Sequence, residues 1–426
     1  MEGKKRIENI LSHREDKVPL DFGSNAVTGM HVSVVAALRD YYGLEKRPVK
    51  VNEPFQMLGE VDEELKEAIK ADVDGLYPRS TIFGFTNEGW KEWRTPWGQE
   101  VLVPENFRVK EEPNGDQLIY PQGDTSVSPS GRMPNNGYFF DSIIRQKPID
   151  DDKLTAEDNL EEFAPLSAED LEYYRKEAAA LKNSPRAVMA NFGGTGLGDI
   201  ALVPGPFMKN PKGIRDVTEW YVSTVARRDL LQEIFDKQTD IALENLARIY
   251  EAVGDVPHAM FLCGTDFGTQ SSTFCSIETF RDLYKPYYKK MTDWVHANTG
   301  WKVFKHSCGA VKDFVEEFIE AGFDILNPLQ PECVNPGRIS AAGMDPKELK
   351  NRFGERIVFW GGGVDTQKTL PFGKPAEVRE EVLRRCEIFA PGGGFVFNAI
   401  HNVQAKTPVE NVVAMIDAVH EFNGEK

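Results

Sequence analysis

The chain has 426 residues, with 67 acidic against 50 basic side chains and a net charge of −17. That length buries a full core without staples, and 41% hydrophobic with 11% aromatic residues marks a globular chain. The acidic balance speaks against a nucleic-acid binder, which needs a basic footprint, and against docking on an anionic membrane. Residues 1–10 carry charge but no apolar run of a signal peptide, and no stretch approaches about 18 apolar residues. Five scattered cysteines (Cys263, Cys275, Cys308, Cys333, Cys386) fit a reducing cytoplasm better than a disulfide framework.

Short apolar runs bounded by turn signals predict strands. In chain order they are residues 18–22, 73–77, 187–191, 258–263, 302–306, 323–327, 357–361 and 394–398. Between the second and third, residues 90–146 hold Trp90, Trp93, Trp97 and the turn pair Asn114-Gly115, which predicts a small β-rich excursion. Residues 147–165 are acidic and loop-like, and a helix is expected from near Ser167. Residues 216–253 are long enough for two helices or one with a break. Apolar positions at helical spacing recur over 276–297, 309–321, 376–389 and 408–422. Asp345-Pro-Lys-Glu348 and Thr407-Pro-Val-Glu410 read as capping boxes with proline at the first helical position.

Strand and helix alternating eight times predict an α/β chain: one (β/α)8 barrel domain over 1–426, interrupted by an insertion over about 90–165. An open doubly wound sheet is the alternative. No internal repeat or low-complexity tract is present.

Barrel enzymes collect their chemistry where strands end. The fifth run ends Lys305-His306-Ser307-Cys308-Gly309, and a histidine and a cysteine one residue apart can reach one metal, with zinc suited to both donors. A third ligand is available in His401, after the last strand, and Gln330 or Glu332 offers a further contact. Cys333 reads as a small apolar side chain. The bland alternatives are a surface His beside a buried Cys, and for His401 a capping or core role. Asp21, His31, Asn191, Asp266, Asn327, Asp365, Gln367 and Gln404 lie at or just past strand ends and together describe a polar cup. Any one of them could instead cap the next helix. The glycine run 192–198 lacks the G-x-G-x-x-G spacing and a Walker lysine, which argues against dinucleotide or P-loop binding. The runs 361–363 and 392–394 read as tight turns or places where a ligand nears the backbone.

The blocks Thr265-Asp-Phe-Gly-Thr-Gln270, His306-Ser-Cys-Gly-Ala310, Gly322-Phe-Asp-Ile-Leu-Asn-Pro-Leu-Gln330, Phe359-Trp-Gly-Gly-Gly-Val-Asp365 and Thr407-Pro-Val-Glu-Asn411, in that order, give the chain a family likeness. It resembles the uroporphyrinogen decarboxylase and cobalamin-dependent methyltransferase superfamily over nearly its whole length, most strongly from about 258 to 422. The resemblance implies a (β/α)8 barrel. Its decarboxylase branch carries an early arginine-rich segment for a polycarboxylate tetrapyrrole, whereas this chain has no arginine between Arg14 and Arg39. Its methyltransferase branch holds zinc with His-x-Cys and a later Cys. His306 and Cys308 match the first two, and His401 stands where the later Cys would be.

The resemblance therefore implies a zinc-dependent methyltransferase acting on a small methoxylated or methylated substrate. Asp266, Asp365 or His31 would orient that substrate or protonate its leaving group, and Asp21, Asn191, Asn327, Gln367 and Gln404 would bind it. The acceptor would be cobalt in a corrinoid on a separate protein, because none of the seven histidines here follows the Asp-x-His pattern of corrinoid carriers. A metal-independent decarboxylase and a non-catalytic ligand-binding relative are the competing readings. An exposed barrel face could support a homodimer.

Overall fold

The computed structural model describes residues 2–15, 17–160, 163–330 and 344–425. Seven parallel strands form one curled sheet, in the order Phe395–Val396, Val358–Trp360, Ile325–Asn327, Lys302–His306, Ala259–Cys263, Ala187–Asn191 and Val73–Leu76. The expected first strand closes the ring. Leu20 bridges Phe397 in parallel, the Asp21 amide donates to the Phe397 carbonyl at 3.0 Å, and the Asp72 amide donates to the Leu20 carbonyl at 2.9 Å. The result is a barrel of eight staves. The first is a single bridge, because Pro19 has no N–H to extend the ladder.

Helices follow the staves on the outside. Residues 216–253 form two helices, Val217–Ala226 and Arg228–Val253. Asp345 caps Pro346–Phe353 by accepting the Glu348 amide at 2.8 Å, the N-cap half of the expected box, while the Glu348 carboxylate pairs with Lys312 at 3.1 Å. The last helix departs from expectation. Pro408 is its N-cap and not its first turn, and the Thr407 hydroxyl donates to the Gln404 carbonyl at 2.8 Å, so no capping box forms.

Two four-stranded sheets fill the excursion. The Asn114-Gly115 turn joins Val109–Glu111 to Gln117–Ile119, with Gly115 at φ +88. The other sheet combines Lys91–Arg94 and Glu100–Val103 with Val49–Glu53 and Leu58–Gly59, two strands that the sequence reading left out.

Side chains alternate along a strand, and that period sorts the core in two. Val73, Ala187, Met189, Ala259, Phe304, Ile325, Val358, Trp360 and Val396 fill the barrel interior, and Ile7, Ile10 and Leu11 of the helix Glu2–Leu11 pack against them. A larger cluster lies between staves and helices. Two residues beyond Phe304 and Ile325, the same period sends His306 and Asn327 into the barrel at its strand-end mouth.

Candidate active site

His306 and Cys308, at the end of one stave, meet His401 from the loop after the last. One ligand atom of each lies within 4.8 Å of the others. His306 Nε2 and Cys308 Sγ are 3.3 Å apart, and the two imidazole centroids are 5.4 Å apart. Burial holds both imidazoles neutral, lowering His306 to about 4 and His401 to about 3, with each ring also beside another positive or titratable group. Burial pushes the Cys308 thiol well above its usual value, with the nearby Asp266 carboxylate adding to the shift. A neutral imidazole offers a lone pair, and a thiol held up by desolvation releases its proton to water when a cation takes that proton's place on the sulfur.

The donor set is braced from behind. The Asn327 side chain pairs with His306 Nδ1 at 2.6 Å. Asp266 Oδ1 accepts the Cys308 amide at 2.6 Å and stands 3.9 Å from His306 Nε2. The Gly309 amide donates to Gln330 Oε1. His401 is held differently: its Nδ1 accepts the Asn402 amide at 2.8 Å, so the neutral ring carries its proton on Nε2. Ligation through either nitrogen of His401 rearranges that contact, whereas His306 Nε2 is already free to coordinate.

Beside the triad opens a cavity of about 960 Å³, whose wall includes Asn25, Glu53, Tyr77, Asn191, Asp199, Phe261, Asp266, His306, Cys308 and His401. Among the described residues that line it there is no lysine or arginine, while Glu53, Asp170, Asp199 and Asp266 supply carboxyl groups. Burial raises Asp199 to about 6, Glu53 to about 7, and Asp266 above its usual range.

The other predicted residues divide. Asn191 lines the cavity, with Oδ1 accepting the Gly193 amide at 3.1 Å. Asp21 lies inside the barrel and accepts the Trp360 indole N–H at 2.9 Å and the Ser24 hydroxyl at 2.7 Å. His31 caps the helix Val32–Tyr41, contacts the Tyr138 carbonyl at 3.0 Å and packs 5.2 Å from the Trp97 ring. Asp365 accepts the Gln367 and Lys368 amides at 2.7 and 3.1 Å, and Gln367 is exposed. Gln404 donates to the Asn402 carbonyl at 3.3 Å. Asp21, His31, Asp365, Gln367 and Gln404 are absent from the cavity wall. Glu332 and Cys333 lie outside the described residues.

The sequence reading missed Glu53, Asp199, Asn402 and Lys305. Asp199 directly follows the glycine run, and Glu53 ends the alternating stretch Val49–Glu53; both signals were available. Asn402 accepts the Gly29 amide at 2.6 Å and donates to Ala26 and Gln56, tying the His401 loop to the first loop. Lys305 is wholly buried, donates to the Thr265 carbonyl at 2.6 Å and lies 5.1 Å from the Phe267 ring centroid.

A family model for uroporphyrinogen decarboxylase matches residues 201–422, just over half of the chain. The chain belongs to the uroporphyrinogen decarboxylase family. Among curated members, the uroporphyrinogen decarboxylase of Actinobacillus succinogenes is 33% identical over 76 residues, 18% of this chain and 21% of that protein. That of Pseudomonas putida is 30% identical over 112 residues, 26% of this chain and 27% of that protein. These matches span about a fifth to a quarter of the length of those relatives. Among solved structures, a methyltransferase from Methanosarcina mazei superposes over 99% of this chain and 98% of its own, with a TM-score of 0.54 and 14% identity. At that identity the likeness shows a shared fold, the barrel of the family.

Proposed function

We propose that this family member is a zinc-dependent methyltransferase, taking a methyl group from a small methoxylated or methylated substrate and passing it to the cobalt of a separate corrinoid protein. The convergence of His306, Cys308 and His401 at the mouth of the cavity carries the reading. Imidazole and thiolate donors suit zinc, and a set with one thiolate and two imidazoles is more Lewis-acidic than a thiolate-rich one. Zinc held there would polarise the oxygen or nitrogen bearing the methyl group. The chain's own part is to hold the ligands, shape the cavity and move a proton. Asp199 and Asp266, with carboxyls raised by burial, can keep a proton within the cavity and give it to the leaving group.

Decarboxylation of a polycarboxylate, the chemistry in the name of the matched family, fits this cavity poorly. Its described wall offers carboxyl groups and no basic side chain, so bound carboxylates would find no cationic or bidentate partner.

The test is methyl transfer itself. The purified protein is mixed with a reduced corrinoid protein and a panel of methoxylated and methylated compounds, and corrinoid methylation is followed by absorbance. Transfer by the wild type and none by His306→Ala is expected. Full-rate transfer by a metal-free preparation would sink the reading.

A further inference from the structure

We propose that Asn327 is a positioning residue that sets the tautomer of His306 and thereby prepares it to coordinate; this rests on reading the triad as a metal site. Asn327 is fully buried, so its amide needs partners inside the protein. Its Nδ2 donates to the Trp360 carbonyl at 2.8 Å. A backbone carbonyl only accepts, which fixes which end of the amide faces which way. Oδ1 is therefore the atom turned to His306 Nδ1, 2.6 Å away. An amide oxygen only accepts, so Nδ1 carries the proton and the lone pair lies on Nε2, the nitrogen 3.3 Å from Cys308 Sγ.

The brace is itself anchored. The Trp360 indole donates to Asp21 Oδ2 at 2.9 Å, Asp21 is held by Ser24, and Asn398 donates to the Asp21 carbonyl at 2.7 Å. The Trp360 and Asn398 links each have one possible polarity, because an indole N–H only donates and a backbone carbonyl only accepts. A glycine makes room for it: at Gly361, with φ +95, an added Cβ would stand 2.9 Å from Asn327 Nδ2. Among the described residues His401 shows no comparable side-chain brace; its Nδ1 takes the neighbouring Asn402 amide.

The test separates positioning from mere support of the fold. Zinc dissociation constants are measured by chelator competition for wild type, Asn327→Ala and Asn327→Asp, beside thermal unfolding of the metal-free proteins. Asn327→Ala should bind zinc about 10–100-fold more weakly. Asn327→Asp keeps an acceptor for the Nδ1 proton but loses the donor to Trp360. It should recover most of the affinity while remaining less stable than wild type. Equal affinity losses in both variants, or an Asn327→Ala constant within about twofold of wild type, overturns the proposal. A wild type that binds no zinc overturns the metal reading instead. A measurement without any variant stands beside these: long-range proton–nitrogen correlation on histidine-labelled, metal-free wild type. It should show His306 as the Nδ1–H tautomer, and an Nε2–H ring contradicts the proposal.

Discussion

The two arms that meet at the site are built in opposite ways. His306 and Cys308 belong to a stave of the barrel, where the strand period aims His306 inward and Asn327, Asp266 and Gln330 reach across from neighbouring staves to brace them. His401 belongs to an irregular loop beyond the last stave, positioned through its neighbour Asn402, which staples that loop to the first one. A regular strand gives pre-set geometry. A stapled loop gives reach, at the cost of a ring whose ready nitrogen already receives an amide proton. The first arm should therefore dominate metal affinity and the second should tune it.

The largest effects should come from the strand arm. His306→Ala and Cys308→Ala should each remove tight zinc binding and lower methyl transfer at least about 100-fold, since each deletes a donor from a three-residue set. Elemental analysis and corrinoid absorbance check both. A smaller loss is expected on the loop arm: His401→Ala should keep weak zinc binding, and His401→Cys should restore much of it, because thiolate is a good zinc ligand. If His401→Ala proves as severe as His306→Ala, the comparison fails.

Next comes pH. The Cys308 thiol lies well above its ordinary range because of burial, so zinc must displace a proton that stays bound at neutral pH. Affinity should accordingly rise with pH across the neutral range, and the rise should vanish in Cys308→Ala. A pH-independent wild-type constant would contradict this.

The smallest effect concerns Glu53, at the end of the strand Val49–Glu53 on the cavity wall. Burial raises it to about 7 while it accepts the Phe55 and Gln56 amides at 3.0 and 2.7 Å. Its folded value lies above its unfolded one, so its contribution is fully present below about 4.5 and is lost as pH rises toward 7. Glu53→Gln removes that titration. Relative to wild type the variant should gain about 1–2 °C in Tm between pH 5 and pH 8. A constant difference between the two proteins would show that Glu53 ionises freely.

The barrel was legible because its staves are short apolar runs separated by amphipathic helices, and the His306-x-Cys308 pair because it sits at a strand end. What such reading lacks is the partner of each polar group. Asp21 and Asn327 look like members of an open polar cup. In the folded protein Asp21 is taken up by Trp360 and Ser24, and Asn327 by His306 and Trp360. His31 likewise holds a helix start, and Asp365 the turn at 366–368. Glu53 escaped notice because its strand pairs outside the barrel, with Glu100–Val103 some 50 residues along the chain. Gly361 resembled a place for a ligand to approach the backbone, and what approaches it is the Asn327 amide.

The central claim is that the two arms make one metal site. It is tested most directly by the zinc content of purified wild type, His306→Ala and His401→Ala after dialysis, by elemental mass spectrometry. The account predicts about one zinc per wild-type chain, almost none in His306→Ala and an intermediate amount in His401→Ala. A wild type without zinc, or a His306→Ala variant that retains the full complement, would contradict it.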